Sequence, residues 1–225
     1  MAFGKVMKNI GESLTIKEND RINSLRENFC NLFENQEEAA ILFKEVAGQY
    51  QADNRFYHNL EHIENLLNFL KQQKQQIINF QTLTFAAWFH DVVYDARAQD
   101  NEEQSAKYSQ SCLRKLGVSE EVIKQVTDLI LATKKHEVVE NNLDLALFLD
   151  GDLAVLGSDE RKYNEYAAKI RQEYHWLSDD QYKMGRRSFL ENLLNRSKIF
   201  FVEDINQELE QQARRNIKSE IDTLS

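Results

Sequence analysis

The stretch Leu83–Asp91 reads LTFAAWFHD and decides the fold class of this chain. It is apolar on nearly every side of a helix, which is the pattern of a helix buried at the centre of a domain. The apolar run ends directly on His90 and Asp91. Burying an imidazole and a carboxylate is costly unless they are paired or bind a metal ion. The stretch therefore predicts a central helix that carries at its end an imidazole and a carboxylate, which are either paired or bound to a metal ion.

Outside this stretch, apolar residues recur at helical spacing along almost the whole chain. The 225 residues include no proline and only seven glycines, too few for a protein rich in strands and turns. Neither an internal repeat nor a break in composition divides the chain. The sequence therefore predicts one all-α domain over residues 1–225, with its core at roughly 20–222. Among the predicted helices are those near residues 22–33, 37–50, 179–195 and 204–222.

Three polar positions are predicted to begin further helices. Asp100 and Glu103 have the spacing of a capping box, in which two side chains satisfy the first amides of a helix. Ser119 precedes two acids in a first helical turn, where the helix dipole favours negative charge. Ser158 is predicted to cap the helix that follows it. The sequence thus places polar loops between buried helices.

Charge and cysteine content argue against several classes of protein. The chain has 28 basic and 37 acidic residues, a net charge of -9, and no basic cluster of the kind that binds bulk nucleic acid. No apolar run of about 18 residues is available to cross a membrane, and Met1–Lys8 lacks the features of a secretory signal. Two cysteines suit a reducing compartment. We expect a cytoplasmic protein that acts on small molecules, with a homo-oligomer left open.

Three separate apolar segments carry imidazoles or carboxylates. His58 and His62 are four residues apart and would share one face of a helix. Asp150 and Asp152 end the apolar run Leu143–Leu149, as the His-Asp pair ends the central helix. One such residue alone is usually a satisfied structural histidine or a helix cap. Three segments together favour a single divalent-metal site, and mixed nitrogen and oxygen ligands favour a transition metal.

The order of these residues resembles that of the HD superfamily of metal-dependent phosphohydrolases. His62, then His90-Asp91, then Asp152 reproduce its H…HD…D pattern. Tyr57–His62, YHNLEH, is similar to the YHNxxH segment of cyclic nucleotide phosphodiesterases, which are distant members. Further segments resemble bacterial predicted metal-dependent HD phosphohydrolases: Arg55–Asn59, Phe89–Asp95, Leu149–Leu153, Ile170–Tyr174, Gly185-Arg186 and Ala213–Asn216. The resemblance implies an HD-type helical bundle with a metal ion at its centre.

This resemblance also implies roles for individual residues. The metal ligands would be His62, His90, Asp91 and Asp152. Asp152 is preferred over Asp150 because Asp152–Ala154 is similar to the segment that supplies this aspartate in the cyclic nucleotide enzymes. His58 matches their general acid, and its alternative role is to cap the following helix. The ion would be Mn, Zn, Fe, Ni, Co or Mg, with one or two ions per chain.

Several other residues have two interpretations each. Asp95 is a base or substrate contact, or the cap of the next helix. His136, with Lys135, is a ligand of a second ion or a phosphate contact; its alternative is an exposed histidine at a helix end. Asp150 contacts a second ion or phosphate, or orients a metal ligand. Arginine can bind phosphate through two hydrogen bonds, and the phosphate-side candidates, otherwise ordinary salt-bridge partners, are Arg171, Tyr174 and Arg186.

The resemblance implies hydrolysis of a phosphoester in a small molecule or nucleotide. A metal ion would lower the pKa of bound water toward about 7, and His58 would protonate the leaving oxygen. The His-Asp pair is followed directly by Val92-Val93-Tyr94, without the further histidine that the cyclic nucleotide enzymes have there, so hydrolysis of cyclic nucleotides is not implied. Two other functions stay open: a di-iron oxygenase, for which His136 supplies one additional ligand, and a regulatory module that binds metal without turnover.

Overall fold

The computed structural model describes residues 18–138 and 142–224. Within these ranges the chain forms ten α-helices, one short 3-10 helix and no β-strand, which confirms the all-α prediction. The helices are α1 (18–30), α2 (Gln36–Tyr50), α3 (Leu60–Gln72), α4 (Phe80–Phe89), α5 (Asn101–Lys115), α6 (Glu120–Ala132), α7 (Leu143–Leu153), α8 (Glu160–Glu173), α9 (Asp179–Leu194) and α10 (Glu203–Thr223). The 3-10 helix Ala154–Gly157 continues α7. Met1–Lys8, considered above for a secretory signal, lies outside the described residues.

Helix α4 is the central helix that its sequence predicts. Eight of its ten residues are buried, and Trp88 is fully enclosed. The Trp88 ring meets Phe29 edge to face, with ring centroids 5.1 Å apart. The Tyr50 hydroxyl donates to the Trp88 carbonyl at 3.0 Å. Aromatic packing on α1 and α2 therefore fixes the position of α4, and with it the His-Asp pair at its end.

A second apolar cluster joins α7 and the 3-10 helix to α8, α9 and α10. Tyr163, Leu190 and Ile217 lie at its centre and are almost completely buried. Phe69 and Phe201 pack against both clusters and so connect the two halves of the core. Among the described helices, none combines the length and the apolar character that crossing a membrane requires.

The observed helix caps confirm one of the three caps predicted from the sequence and show that the other two are wrong. Ser119 accepts a hydrogen bond from the Val122 amide and caps α6, as predicted. Asp100 stands at the N-cap position of α5, but its side chain makes no capping bond and accepts instead from Gln104. The predicted capping box is therefore wrong. Helix α8 is capped by Asp159 and not by Ser158, whose hydroxyl donates to the Val155 carbonyl.

The close contact between Gly157 and α10 leads to a stability prediction. A Cβ atom at Gly157 would lie 2.6 Å from Leu209 Cβ and 2.9 Å from the Leu209 carbonyl oxygen. Because this neighbour includes helix backbone, we expect Gly157→Ala to lower the free energy of unfolding by about 1–3 kcal/mol. Urea denaturation measures the change.

Gly48→Ala is the matched control, since a Cβ there meets no atom within 4 Å. This second variant removes a helix-interior glycine and should raise stability by up to about 1 kcal/mol. Equal unfolding midpoints for the two variants would contradict the packing of α10 on the 3-10 helix.

Candidate metal centre and cavity

Two histidines and one aspartate from three helices meet at a point. His62 lies in the first turn of α3, His90 follows the last residue of α4, and Asp152 lies in the last turn of α7. The His62 and His90 Nε2 atoms are 3.0 Å apart. Asp152 Oδ1 lies 3.1 Å from His62 Nε2 and 3.4 Å from His90 Nε2. Potential ligand atoms of all three residues lie within 4.8 Å of one another, close enough to share one metal ion.

The carboxylate of Asp91 faces the same two nitrogens. Its Oδ2 lies 3.1 Å from His90 Nε2 and 3.8 Å from His62 Nε2. Two imidazoles with carboxylate oxygens form a donor set that suits a divalent transition metal ion such as Zn²⁺, Mn²⁺ or Fe²⁺. The residues present therefore fit the metal ion that the sequence leads us to expect.

The His90 ring is oriented by its second nitrogen. Its Nδ1 lies 3.0 Å from the Ala87 carbonyl, to which it can only donate a proton. With the proton on Nδ1, a neutral His90 presents the lone pair of Nε2 to the other ligands. Metal-binding histidines are commonly held in this way, by a hydrogen bond from the nitrogen that does not bind the ion.

The electrostatics of the group also indicate a cation. Burial alone would raise the pKa of Asp91 and Asp152, but the charge of His90 and hydrogen bonds from neighbouring imidazoles outweigh it, and both pKa values are lowered. Burial likewise lowers the pKa of His90, but the two carboxylates raise it well above the ordinary value. A protonated His90 would balance part of the charge of the two carboxylates. A divalent ion can replace that positive charge and release protons as it binds.

His136 contacts the opposite oxygen of Asp152. Its Nε2 lies 2.9 Å from Asp152 Oδ2, while Oδ1 of the same carboxylate faces His62 and His90. The backbone of His136 has a φ of 48°, in the left-handed region, and its carbonyl accepts from Arg196 at 2.8 Å. His136 is therefore not the exposed histidine at a helix end that one interpretation predicts.

His58 lies beside the metal group and pairs with a buried acid. Helix α3 begins at Leu60 with Asn59 as its N-cap, so His58 precedes the helix and does not cap it. Its Nδ1 lies 2.6 Å from Glu173 Oε2. Glu173 is only 3% exposed and also accepts from the Tyr94 hydroxyl at 3.0 Å. This pairing leaves His58 Nε2 free to exchange a proton with a ligand.

The two members of this pair shift each other's pKa. Burial lowers the pKa of His58, but its hydrogen bond with Glu173 and nearby negative charges prevail, and the net pKa is raised. Burial raises the pKa of Glu173, but hydrogen bonds and the charge of His58 lower it overall. Both shifts favour an imidazolium facing a carboxylate, which is the form in which His58 could donate a proton.

Arg55 connects the segment that precedes α3, which contains His58, to the end of α4. Its buried guanidinium donates to the carbonyls of His58, Asp91 and Val92. The group also lies over the rings of Tyr50 and Tyr94, with centroid distances of 5.0 and 5.4 Å. Arg55 thus fixes the general-acid candidate relative to the proposed metal ligands.

We expect Arg55→Lys to destabilise the protein by about 2–4 kcal/mol, because the lysine ammonium cannot reproduce the planar guanidinium, which donates to three backbone carbonyls. Guanidinium denaturation monitored by circular dichroism measures the loss. Arg26→Lys, an exposed substitution on α1, is the control and should leave the unfolding midpoint unchanged. Similar midpoints for both variants would show that Arg55 does not hold this junction.

A cavity of about 520 Å³ opens over the metal group. Its polar half includes His58, His62, Asp91, His136 and Asp152. Its other half is supplied largely by α8, α9 and the loop between them, and is mostly aromatic or apolar. Tyr57 stands between the halves, with its ring 5.0 Å from that of His62 and 4.7 Å from that of Tyr166. The volume is that of a site for a small molecule.

The structure places four of the candidate residues away from this cavity. Both carboxylate oxygens of Asp150 accept backbone amides, from Phe201 and Val202 at 2.8 Å each, so this side chain anchors the segment before α10. Asp95 is exposed and accepts from the backbone amide of Arg97. The other two candidates are Lys135 and Arg171. None of the four is among the described residues that line the cavity, so its geometry gives no support to the predicted contact of Asp95 with a substrate or to the predicted contacts of the other three with an ion or phosphate.

The two arginine candidates both have partners within the protein. The Arg171 guanidinium donates to the Tyr174 carbonyl and to Asp179, and lies over the Tyr182 ring. Arg186 and Tyr174 both line the cavity. The buried Arg186 guanidinium, however, donates to both carboxylate oxygens of Glu220, at 2.8 and 3.1 Å. The cation of Arg186 is therefore neutralised by a neighbouring helix.

Three residues at the site have no assigned role in the sequence prediction. Glu173 and Arg55 lie in the segments that carry the resemblance, yet neither is singled out there. Lys134 lines the cavity, whereas the predicted Lys135 is exposed outside it. Only Glu173 has a clear signal in the sequence, because it follows Ile170 by three residues on the buried face of α8.

Comparisons of the chain with protein-family models, with curated proteins and with solved structures find no match.

Proposed function

We propose that the chain is an HD-type, metal-dependent phosphohydrolase that cleaves a phosphoester of a small molecule. The observation that carries the proposal is the convergence of His62, His90, Asp91 and Asp152 next to the His58–Glu173 pair, at a cavity that His58, His62, Asp91 and Asp152 line. A metal-binding group beside a preorganised acid is what hydrolysis of a phosphoester needs. The order of these residues along the chain, which resembles the HD pattern, supports the same proposal.

The positions of the side chains give them separate roles in the proposed reaction. His62, His90, Asp91 and Asp152 would hold the ion. When bound, a divalent ion supplies a Lewis acid that offsets phosphoryl charge and acidifies water. The carboxylates alone would repel a phosphate, in a chain whose net charge is already -9.

His58 supplies the proton for the leaving group. Its Nδ1 is held by Glu173, so the proton on Nε2 faces the cavity and can pass to the ester oxygen as the P–O bond breaks. Tyr94 stacks on the His58 ring, with centroids 4.3 Å apart, and prevents the imidazole from turning. The chain's own contribution is thus a fixed acid next to a site for the phosphoryl group.

Elemental analysis followed by a substrate screen tests this proposal. The purified protein is expected to contain a divalent metal, and to hydrolyse phosphomonoesters after loading with Mn²⁺, Zn²⁺, Fe²⁺, Ni²⁺, Co²⁺ or Mg²⁺. Activity should disappear with a chelator and return with the metal. Metal binding without turnover of any phosphomonoester, phosphodiester or nucleotide would contradict hydrolysis and favour a regulatory module.

One observation favours a second candidate function, a di-iron oxygenase. His136 and the pair His62–His90 contact different oxygens of Asp152, so His136 would supply a ligand to a second ion beside the first. Anaerobic loading with Fe²⁺, followed by addition of oxygen, separates the two functions. Turnover that requires oxygen would support the oxygenase, whereas phosphoester hydrolysis with Mn²⁺ or Mg²⁺ alone would exclude it as the main activity.

A further inference from the structure

The half of the cavity away from the metal group differs from it in chemistry. The aromatic half, as we name it, consists of side chains from α8, α9 and their connecting loop: Tyr166, Ile170, Tyr174, Leu177, Tyr182 and Phe189. The Tyr174 and Tyr182 rings lie 6.3 Å apart at an interplanar angle of 45°. Such walls bind flat apolar groups through burial of surface and ring contacts.

The charges in the cavity do not suit a ligand with several phosphates. Among the described residues that line it, the lysine and arginine cations are Lys134 and Arg186. Lys134 Nζ lies 2.5 Å from Glu103 Oε1, and Arg186 is paired with both oxygens of Glu220. Carboxylates therefore neutralise both cations, and neither is available to bind a phosphate. The metal group remains as the site for a single phosphoryl group.

Gly185 widens the cavity at its aromatic half. It lies in the interior of α9, where a glycine costs about 1 kcal/mol relative to alanine. Tyr182, Gly185 and Phe189 recur at spacings of three and four residues, so all three share the face of α9 that lines the cavity. A Cβ at Gly185 would meet no atom within 4 Å, so no protein contact requires glycine here. The space beside it is open to a ligand.

We propose that the aromatic half binds an uncharged aromatic leaving group, so that the substrate is an aryl phosphomonoester. This inference rests on the proposed function and adds the substrate class. In the bound ester the phosphoryl group lies at the metal group, and the ring lies among Tyr174, Leu177 and Tyr182. Hydrolysis then breaks the bond between phosphorus and the aryl oxygen, water supplies the new oxygen on phosphorus, and His58 protonates the departing phenol oxygen.

Binding of two phosphonates that cannot be hydrolysed tests the inference without relying on turnover. Calorimetry with the Mn²⁺-loaded full chain compares phenylphosphonate with methylphosphonate. We expect phenylphosphonate to bind about tenfold tighter or more, because burial of the ring adds apolar surface. Equal affinities, or no binding of either, would overturn the inference.

Substitution of Gly185 locates the effect. Gly185→Leu should reduce the preference for phenylphosphonate to about twofold or less, because the new side chain fills the space for the ring. Its metal content should stay unchanged. Gly185→Ala, a smaller change that suits a helix, should give an intermediate preference. Gly48→Leu is the matched control, with equally open space on α2 outside the cavity, and should keep the full preference. An undiminished preference in both Gly185 variants would contradict the assignment.

Turnover of 1-naphthyl phosphate and glycerol 1-phosphate separates this inference from the proposed function. Hydrolysis of both esters with a KM at least about tenfold lower for the naphthyl ester supports both; the KM is compared because an aryl oxide is the better leaving group and raises kcat without any aromatic contact. Hydrolysis of both esters with equal KM values supports phosphohydrolase activity and overturns the aryl preference. A preference for phenylphosphonate without turnover of any ester supports the aromatic subsite and contradicts the proposed hydrolysis.

Discussion

Asp152→Asn is expected to abolish metal binding, whereas Asp150→Asn is expected to destabilise the fold and leave the metal in place. The two aspartates are two residues apart on α7 but have different partners. The Asp152 carboxylate contacts three imidazoles. Its loss should weaken metal affinity by at least about 100-fold, because substitution of a residue that only hydrogen-bonds to a metal ligand already lowers metal affinity by about 10–100-fold. Activity should fall with metal occupancy.

Asp150→Asn acts on the backbone instead. Both carboxylate oxygens accept amides of the segment before α10, and an asparagine would turn its NH₂ group toward one of these donors. We expect a loss of about 2 kcal/mol or more in the free energy of unfolding, because a buried amide then lacks its acceptor.

Each variant serves as the control for the other. Metal content per folded chain, with urea denaturation in the presence of a chelator, gives both readouts. Loss of metal in Asp150→Asn with retention in Asp152→Asn would reverse the assignment of the ligand.

Glu173→Gln is expected to lower kcat by about 100-fold while metal content stays unchanged, since loss of general acid catalysis costs 10²–10⁴-fold. The hydrogen bond with Glu173 helps to raise the pKa of His58. Activity that needs protonated His58 is present below this pKa and is lost as the pH rises through it. Without the carboxylate the pKa of His58 falls, so the alkaline limb of the kcat/KM profile should move to lower pH.

Glu165→Gln provides the matched control, because Glu165 is an exposed glutamate on the same helix that pairs with Arg161. It should leave kcat and the pH profile as they are. A drop in kcat for Glu173→Gln with an unmoved alkaline limb would mean that Glu173 only supports the loop through the amides of Tyr57 and His58.

The fold was predictable from the sequence where the pattern of apolar residues in a segment was unambiguous. The run from Leu83 to Phe89 is apolar all round, and α4 is indeed the buried centre. Helix caps were less predictable, because Asp100 and Ser158 have the right residue type but bond to other partners. Local hydrogen bonds decide among neighbouring polar residues, and such competition is not visible in a one-dimensional pattern.

At the site, the sequence identified candidate residues by their type, but it did not show in which direction each side chain points. Asp150 and Asp152 follow the same apolar run, and only the packing of α10 shows which of them faces the cavity. Glu173 was missed although the stripe of Tyr163, Tyr166 and Ile170 predicts a buried position for it. A buried acid on an apolar face is costly unless it is paired, and the partner, His58, lies 115 residues earlier in the chain.

Crystals grown with Zn²⁺ and measured at the zinc absorption edge test the metal site most directly. An anomalous peak is expected about 2.0–2.1 Å from the Nε2 atoms of His62 and His90, with Asp91 and Asp152 oxygens completing the coordination. The absence of a peak between these residues at saturating zinc, or a peak bound by other residues alone, would contradict the proposed metal centre.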